Sequence, residues 1–141
     1  MLRCTPFLLF DGECAAAMTF YQECLGGDLT ITTLRDSPMR EFLPPDKHAR
    51  TINAHLRSGD IEISAADWMA SPVRTPVQGN TTAIFVNGDD IDAMRSIHRR
   101  LSVGADTSSI QELHDMPIGT YGQLYDRYGV QWIFLCRPYA E

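Results

Sequence analysis

Apolar and polar positions follow one pattern that runs through the chain twice. Cys4 to Phe10 is a short apolar run with Pro6 inside it and Asp11-Gly12 after it, which predicts a strand near a sheet edge. Apolar residues then recur at Cys14, Met18, Tyr21 and Leu25, the spacing of one helix face. Asp11 lies in the N-cap region of that helix, and Gly26-Gly27 supplies a left-handed stop. Leu29 to Leu34 is rich in β-branched residues and reads as a second strand. From Asp36 to Arg50 the prolines at 38, 44 and 45 and the lack of any period predict loop. Thr51 to Leu56 and Ile61 to Ala65 then alternate around Ser58-Gly59, as a tight hairpin does.

The second pass repeats the order. Thr81 to Val86 predicts a strand. A helix follows with Ile91, Met94, Ile97 and Leu101 on one face, capped by Asp89 or Asp90 and closed by Gly104. Ser109 to His114 is a weaker strand, and Tyr121 to Asp126 and Val130 to Cys136 form a hairpin turning at Arg127-Tyr128-Gly129. Landmarks keep register between the copies: Asp11 and Asp89, Gly26 and Gly104, Asp28 and Asp106 each stand 78 apart. The hairpin glycines Gly59 and Gly129 stand 70 apart, so the second copy lacks the long loop of the first. The expected architecture is α+β, one domain over 1–141. Module one covers about 1–67, a connector 68–78 and module two about 79–141. Neither half is large enough to bury a good core alone.

Composition changes the picture little but excludes some classes. The chain is 44% apolar and 21% charged, ordinary for a globular protein. Its net charge is -6, and its densest basic spot, Arg95-x-x-His98-Arg99-Arg100, falls at a predicted helix end, where it complements the helix dipole. That argues against a nucleic-acid partner. Phe7 to Phe10 is too short for a signal sequence or a membrane span, so a cytoplasmic protein with no membrane partner is expected. Cys4, Cys14, Cys24 and Cys136 form no C-x-x-C pair and read as free thiols.

Several blocks resemble one family. They are Pro6 to Gly12, then Ala17 with Phe20-Tyr21 and Leu25-Gly26-Gly27, then His55-Leu56 with Ser64-Ala65-Ala66-Asp67, and finally Tyr121 to Trp132. Together they resemble the vicinal oxygen chelate superfamily of glyoxalases, bleomycin-resistance proteins and dioxygenases, and within it the PhnB-like branch. The resemblance implies two βαβββ modules in a curved eight-stranded mixed sheet with helices on its convex face. It also implies a small-molecule ligand in the concave side, and a homodimer. Catalytic relatives hold a divalent metal with His and Glu. Their positions fall here on Cys4, near Thr82 or Ala83, near Glu62, Ile63 or Ser64, and on Ile133, a set too poor for the three protein ligands of a catalytic site. No cofactor is therefore expected.

The hairpin carries the main candidates. A two-residue Ser58-Gly59 turn would pair Arg57 with Asp60, Leu56 with Ile61, and His55 with Glu62. It would place Asn53, His55, Arg57, Glu62 and Ser64 on one face, against Ile52, Ala54, Leu56, Ile61 and Ile63 on the other. His55 and Glu62 read either as an acid/base pair or half of a metal site, or as a plain cross-strand polar pair. The metalloenzyme alternative, a lyase, isomerase or dioxygenase using Zn, Mn, Ni or Fe, would rest on His55, Glu62 and Cys4. A further alternative is a resistance protein that sequesters a cationic drug without turnover, which acidic charge would favour. Tyr121, Gln123 and Tyr125 share a face and form a second lining set. Trp132 alternates with Val130 and Phe134 and reads as core. Asp126, Arg127 and Asp67 read as structural, with Asp67 bracing the end of the first half.

Overall fold

The computed structural model describes residues 1–69 and 74–137. They fall into two compact units, Met1–Val77 and Gln78–Glu141. The first holds β1 (Phe7–Phe10), α1 (Cys14–Leu25), β2 (Asp28–Thr33), β3 (Thr51–Ser58) and β4 (Ile61–Asp67). Its four-stranded sheet runs β1-β4-β3-β2, with β1 parallel to β4 and the other pairs antiparallel. The second holds β5 (Ile84–Gly88), α2 (Ile91–Ser102), β6 (Gln111–Met116), β7 (Gly119–Tyr125) and β8 (Gln131–Cys136). Its sheet runs β5-β8-β7-β6 with the same directions. Both units are thus βαβββ, with the first strand beside the last, as the internal repeat requires. Among the described residues no helix is long and apolar enough to cross a membrane.

Element boundaries differ from the expected ones in several places. β1 begins at Phe7, after Pro6, and leaves Cys4 exposed outside the strand. β5 and β6 start later than Thr81 and Ser109. The expected loop from Asp36 to Arg50 is built from single 3₁₀ turns at Leu34–Asp36, Pro38–Phe42 and Pro45–Lys47. Prolines at the start of two of them suit a turn that needs no N–H there.

The first hairpin turns at Gly59-Asp60 rather than Ser58-Gly59. Ser58 pairs with Ile61, Arg57 with Glu62, Leu56 with Ile63 and His55 with Ser64. The favoured hairpin turns need positive φ at their first central residue, and Gly59 (φ +59°) takes that place. The correction moves the register by two residues, so every side chain keeps its expected face. Ala54, Leu56, Ile63 and Ala65 are buried, whereas Asn53, His55, Arg57, Glu62 and Ser64 are exposed or half-buried.

α1 lays Cys14, Ala17, Met18, Tyr21 and Cys24, all buried, on the apolar face of that sheet. Its end is fixed by Gly27 (φ +88°), where a Cβ would collide with the Arg57 carbonyl oxygen. In the second unit Met94, His98 and Leu101 of α2 are buried beside β8, whose Trp132 and Phe134 are fully covered. His98 therefore takes a core position that the apolar pattern gave to Ile91 and Ile97, both only half-buried. Its ring meets Phe134 edge-on at 5.1 Å, and its Nε2 donates to the Gln111 carbonyl at 3.1 Å. A buried imidazole is tolerated because its N–H is satisfied.

The helices start by different devices. Asp90 caps α2 in the ordinary way, its side chain accepting from the Ala93 N–H at 3.0 Å. Asp11 does not cap α1; it pairs with Arg50 at 2.6 Å instead. Gly12, 78 residues before Asp90, has φ +101° and no side chain to offer. The carboxylate comes from the end of β4: Asp67 Oδ1 accepts from Gly12 N at 2.8 Å and Cys14 N at 3.0 Å, while Oδ2 accepts from Thr51 N at 2.9 Å. The register makes Cys136 the counterpart of Asp67, since Phe10 pairs with Asp67 and Gly88 with Cys136. One unit has Gly and Asp where the other has Asp and Cys.

Candidate functional site: the polar face of the first sheet

His55 and Glu62 do meet, although they are diagonal rather than opposite neighbours. His55 Nε2 lies 2.7 Å from Glu62 Oε1. An ionised carboxylate only accepts, so Nε2 carries the proton and donates. That hydrogen bond is the main reason the Glu62 carboxyl sits below its ordinary value of 4.5; desolvation pushes the other way, and Arg3 and Arg57 add to the lowering. Glu62 Oε2 accepts from Arg3 Nη2 and lies 3.8 Å from Arg57 Nη2. Histidine partners separate this pair from the rest. His48, His98 and His114 each give a ring N–H to backbone carbonyls, with the second nitrogen of His98 3.9 Å from Glu112 Oε2, and among the described residues only His55 hydrogen-bonds a carboxylate. A carboxylate that orients an imidazole is the arrangement used for proton transfer and for ligand positioning alike.

The remaining candidates of the first unit share that face. Asn53 is exposed opposite Thr32, and Ser64 is half-buried between His55 on one side and Phe7 on the other. Arg3 and Phe7 joined the site without being expected there. Alternation from Ser64's partner Phe7 back through Thr5 to Arg3 is the signal that points to them, and the Pro6 carbonyl, accepting from Ser64 N at 3.0 Å, keeps this segment beside β4.

The second unit presents Tyr121, Gln123 and Tyr125 on one half-buried face of β7. Tyr121 stands opposite His114 and Leu135, with the His114 ring edge-on to it at 6.2 Å, and Gln123 stands opposite Gln111 and Ile133. At the end of β7, Asp126 is buried and structural. Its Oδ1 accepts from Tyr128 N and Val130 N at 2.8 and 3.1 Å, and its Oδ2 accepts from Trp132 Nε1 at 2.8 Å. Arg127 donates to the Val103 carbonyl, which ties the turn to the end of α2.

The metal reading fits these residues poorly. Glu62 oxygens are already taken by an imidazole N–H and a guanidinium, with a second guanidinium close by, and two fixed cations repel a third. Cys4 is exposed before β1. Among the described residues no three His, Cys, Asp or Glu side chains come together as a metal-holding group.

Two βαβββ units carrying a polar sheet face are the form of one large group of proteins. The sequence pattern of the glyoxalase/bleomycin resistance protein/dioxygenase superfamily matches residues 3–134, and the chain belongs to that superfamily. Among solved structures it is similar to protein PA1353 from Pseudomonas aeruginosa, with 27% identity, a TM-score of 0.81 and coverage of 97% of this chain and 98% of that one. It is also similar to the PhnB protein from Bacillus cereus (20% identity, TM-score 0.70, 96% and 100% covered). The bleomycin-binding protein of Streptomyces verticillus, solved with copper(II)-bleomycin, shares the fold at 19% identity and a TM-score of 0.55, with 97% of each chain covered. A comparison with curated protein sequences gives no match.

Proposed function

We propose that this protein binds a small molecule through the polar face of its first sheet, and that it does so without a resident divalent metal. The observation that carries the reading is the Glu62 carboxylate, held by His55 and Arg3 and flanked by Arg57 on a face that the helix leaves uncovered. Polar groups fixed in orientation beside an exposed aromatic, Phe7, suit a ligand surface better than a solvated sheet face does. Asn53 and Ser64 complete the set. Tyr121, Gln123 and Tyr125 give the second unit its own lining face. In this reading the protein works in the cytoplasm as a homodimer, the usual assembly of the superfamily, and His55 positions ligand rather than holding metal.

The test joins metal analysis to ligand screening. Pure protein should carry far less than one Zn²⁺, Mn²⁺, Ni²⁺ or Fe²⁺ per chain, and none of these should raise its melting temperature. A specific metabolite or drug should raise it by mass action, and should do so less in His55→Ala and Ser64→Leu. Stoichiometric metal that disappears in His55→Ala would replace this reading with the metalloenzyme. A cationic drug bound without product would make the protein a sequestering one.

A further inference from the structure

The register gives the polar face rows. Phe7, Ser64, His55 and Thr30 stand side by side across β1, β4, β3 and β2. Ser64 is small, so it makes a low floor between the exposed Phe7 ring and the His55 imidazole. In the neighbouring row Glu62, Arg57 and Asp28 stand across β4, β3 and β2, and Arg3 reaches Glu62 from the segment before β1.

Two guanidinium groups therefore converge on one oxygen, Glu62 Oε2. Each guanidinium carries five N–H donors in a planar fork, and a single carboxylate oxygen leaves most of them unused. The side chains of Arg3 and Arg57 are 52% and 60% exposed, and among the described residues neither has another side-chain partner. Asp28, the neighbour of Arg57 across β2, forms no ion pair with it there. The row therefore holds guanidinium donors exposed to solvent, because Glu62 engages only part of them and Asp28 does not ion-pair with Arg57.

We infer that this face takes a small molecule bearing a carboxylate or phosphate group. The oxyanion lies against the free edges of Arg3 and Arg57, and the apolar part of the ligand lies over Ser64 against Phe7. This inference rests on the polar face being the ligand surface. The chain's net charge of -6 opposes an anion at long range, so capture depends on short, bidentate hydrogen bonds rather than steering.

Benzoate, phenyl phosphate and benzamidine give one ring with three head groups, and titrating each into ¹⁵N-labelled full-length protein tests the inference. Benzoate or phenyl phosphate should shift the amides around His55 and Ser64 saturably, and comparing the two tells a carboxylate from a phosphate preference. Affinity should fall about tenfold in Arg57→Gln and in Arg3→Gln, a loss of about one charge-assisted hydrogen bond. Arg57→Lys, which keeps the charge but loses the fork, should fall between. Both arginines are exposed, so the variants fold and the comparison is direct. Benzamidine binding this face while the anions do not would overturn the oxyanion inference and leave the ligand surface standing. Anion affinity unchanged in both glutamine variants would overturn it too. If none of the three probes shifts these amides the inference falls, and if the wider screen also finds no ligand there, the ligand surface falls with it.

Discussion

Replacing Asp67 by alanine removes three hydrogen bonds at once. The donors are the backbone N–H groups of Gly12, Cys14 and Thr51, at 2.8, 3.0 and 2.9 Å from the carboxylate. The bonds from Cys14 and Thr51 are buried, so water cannot replace the lost acceptor, and each buried orphan costs about 1–3 kcal/mol. Gly12 is exposed and can turn to solvent. With loss of the charge at the helix N-terminus, the total comes to about 3–5 kcal/mol. Asp67→Asn keeps one acceptor but points an NH₂ group at a donor, for about half that cost. Asp11→Ala breaks only a surface pair with Arg50 and should cost no more than about 1 kcal/mol. Urea denaturation followed by fluorescence of the adjacent Trp68 should place the midpoint of Asp67→Ala about 2 M below the parent, with Asp67→Asn between and Asp11→Ala near the parent. Equal midpoints for Asp67→Ala and Asp11→Ala would refute the long-range cap.

Three other outcomes follow from the geometry. Gly27→Ala should destabilise the first unit by about 2–4 kcal/mol in thermal melts, because it joins a positive φ to a collision with the Arg57 carbonyl. The carboxyl of Glu62 is lowered by folding, so its contribution to stability is complete above about pH 4.5 and is lost as pH falls through its lower folded value; Glu62→Gln should flatten the acid limb of a stability profile while leaving its neutral part less affected. Thiol labelling at pH 8 in native buffer should modify Cys4 quickly. Cys14 is pushed up to about 12 by burial and by Asp67, Cys136 is raised by burial and the nearby Asp89 and Asp90, and Cys24 is buried, so these react only on unfolding.

The repeat, the helix faces and the division of polar from apolar strand positions were legible in the sequence because each is a periodic property. The 78-residue offset between Asp11 and Asp89 foretold two units of one topology. The structural reading of Asp126 and Asp67 held, and Trp132 is core with its indole N–H on Asp126. What periodicity does not carry is the position of a turn within a hairpin: Ser58-Gly59 and Gly59-Asp60 both place a glycine at the tip, and it is the pairing of Ser58 with Ile61 that separates them. A two-residue difference leaves faces unchanged, which is why the division into polar and apolar faces agrees with the structure and the pairings do not. Arg3 stands one residue before the apolar run that marks the first strand, so only alternation carried back from Phe7 reaches it, and His98 sat in a helix face as a polar residue whose satisfied N–H only tertiary structure reveals.

The two helix starts differ in how far they must reach along the chain. α2 is closed by a residue three positions away, so it can begin from its own sequence. α1 is closed from 53 positions away and must wait until β4 is in place. The duplicated halves are therefore unequal partners in folding: the later one can supply a nucleus from local contacts, while the earlier one stays open at its first turn until nearly all of its own chain has been made.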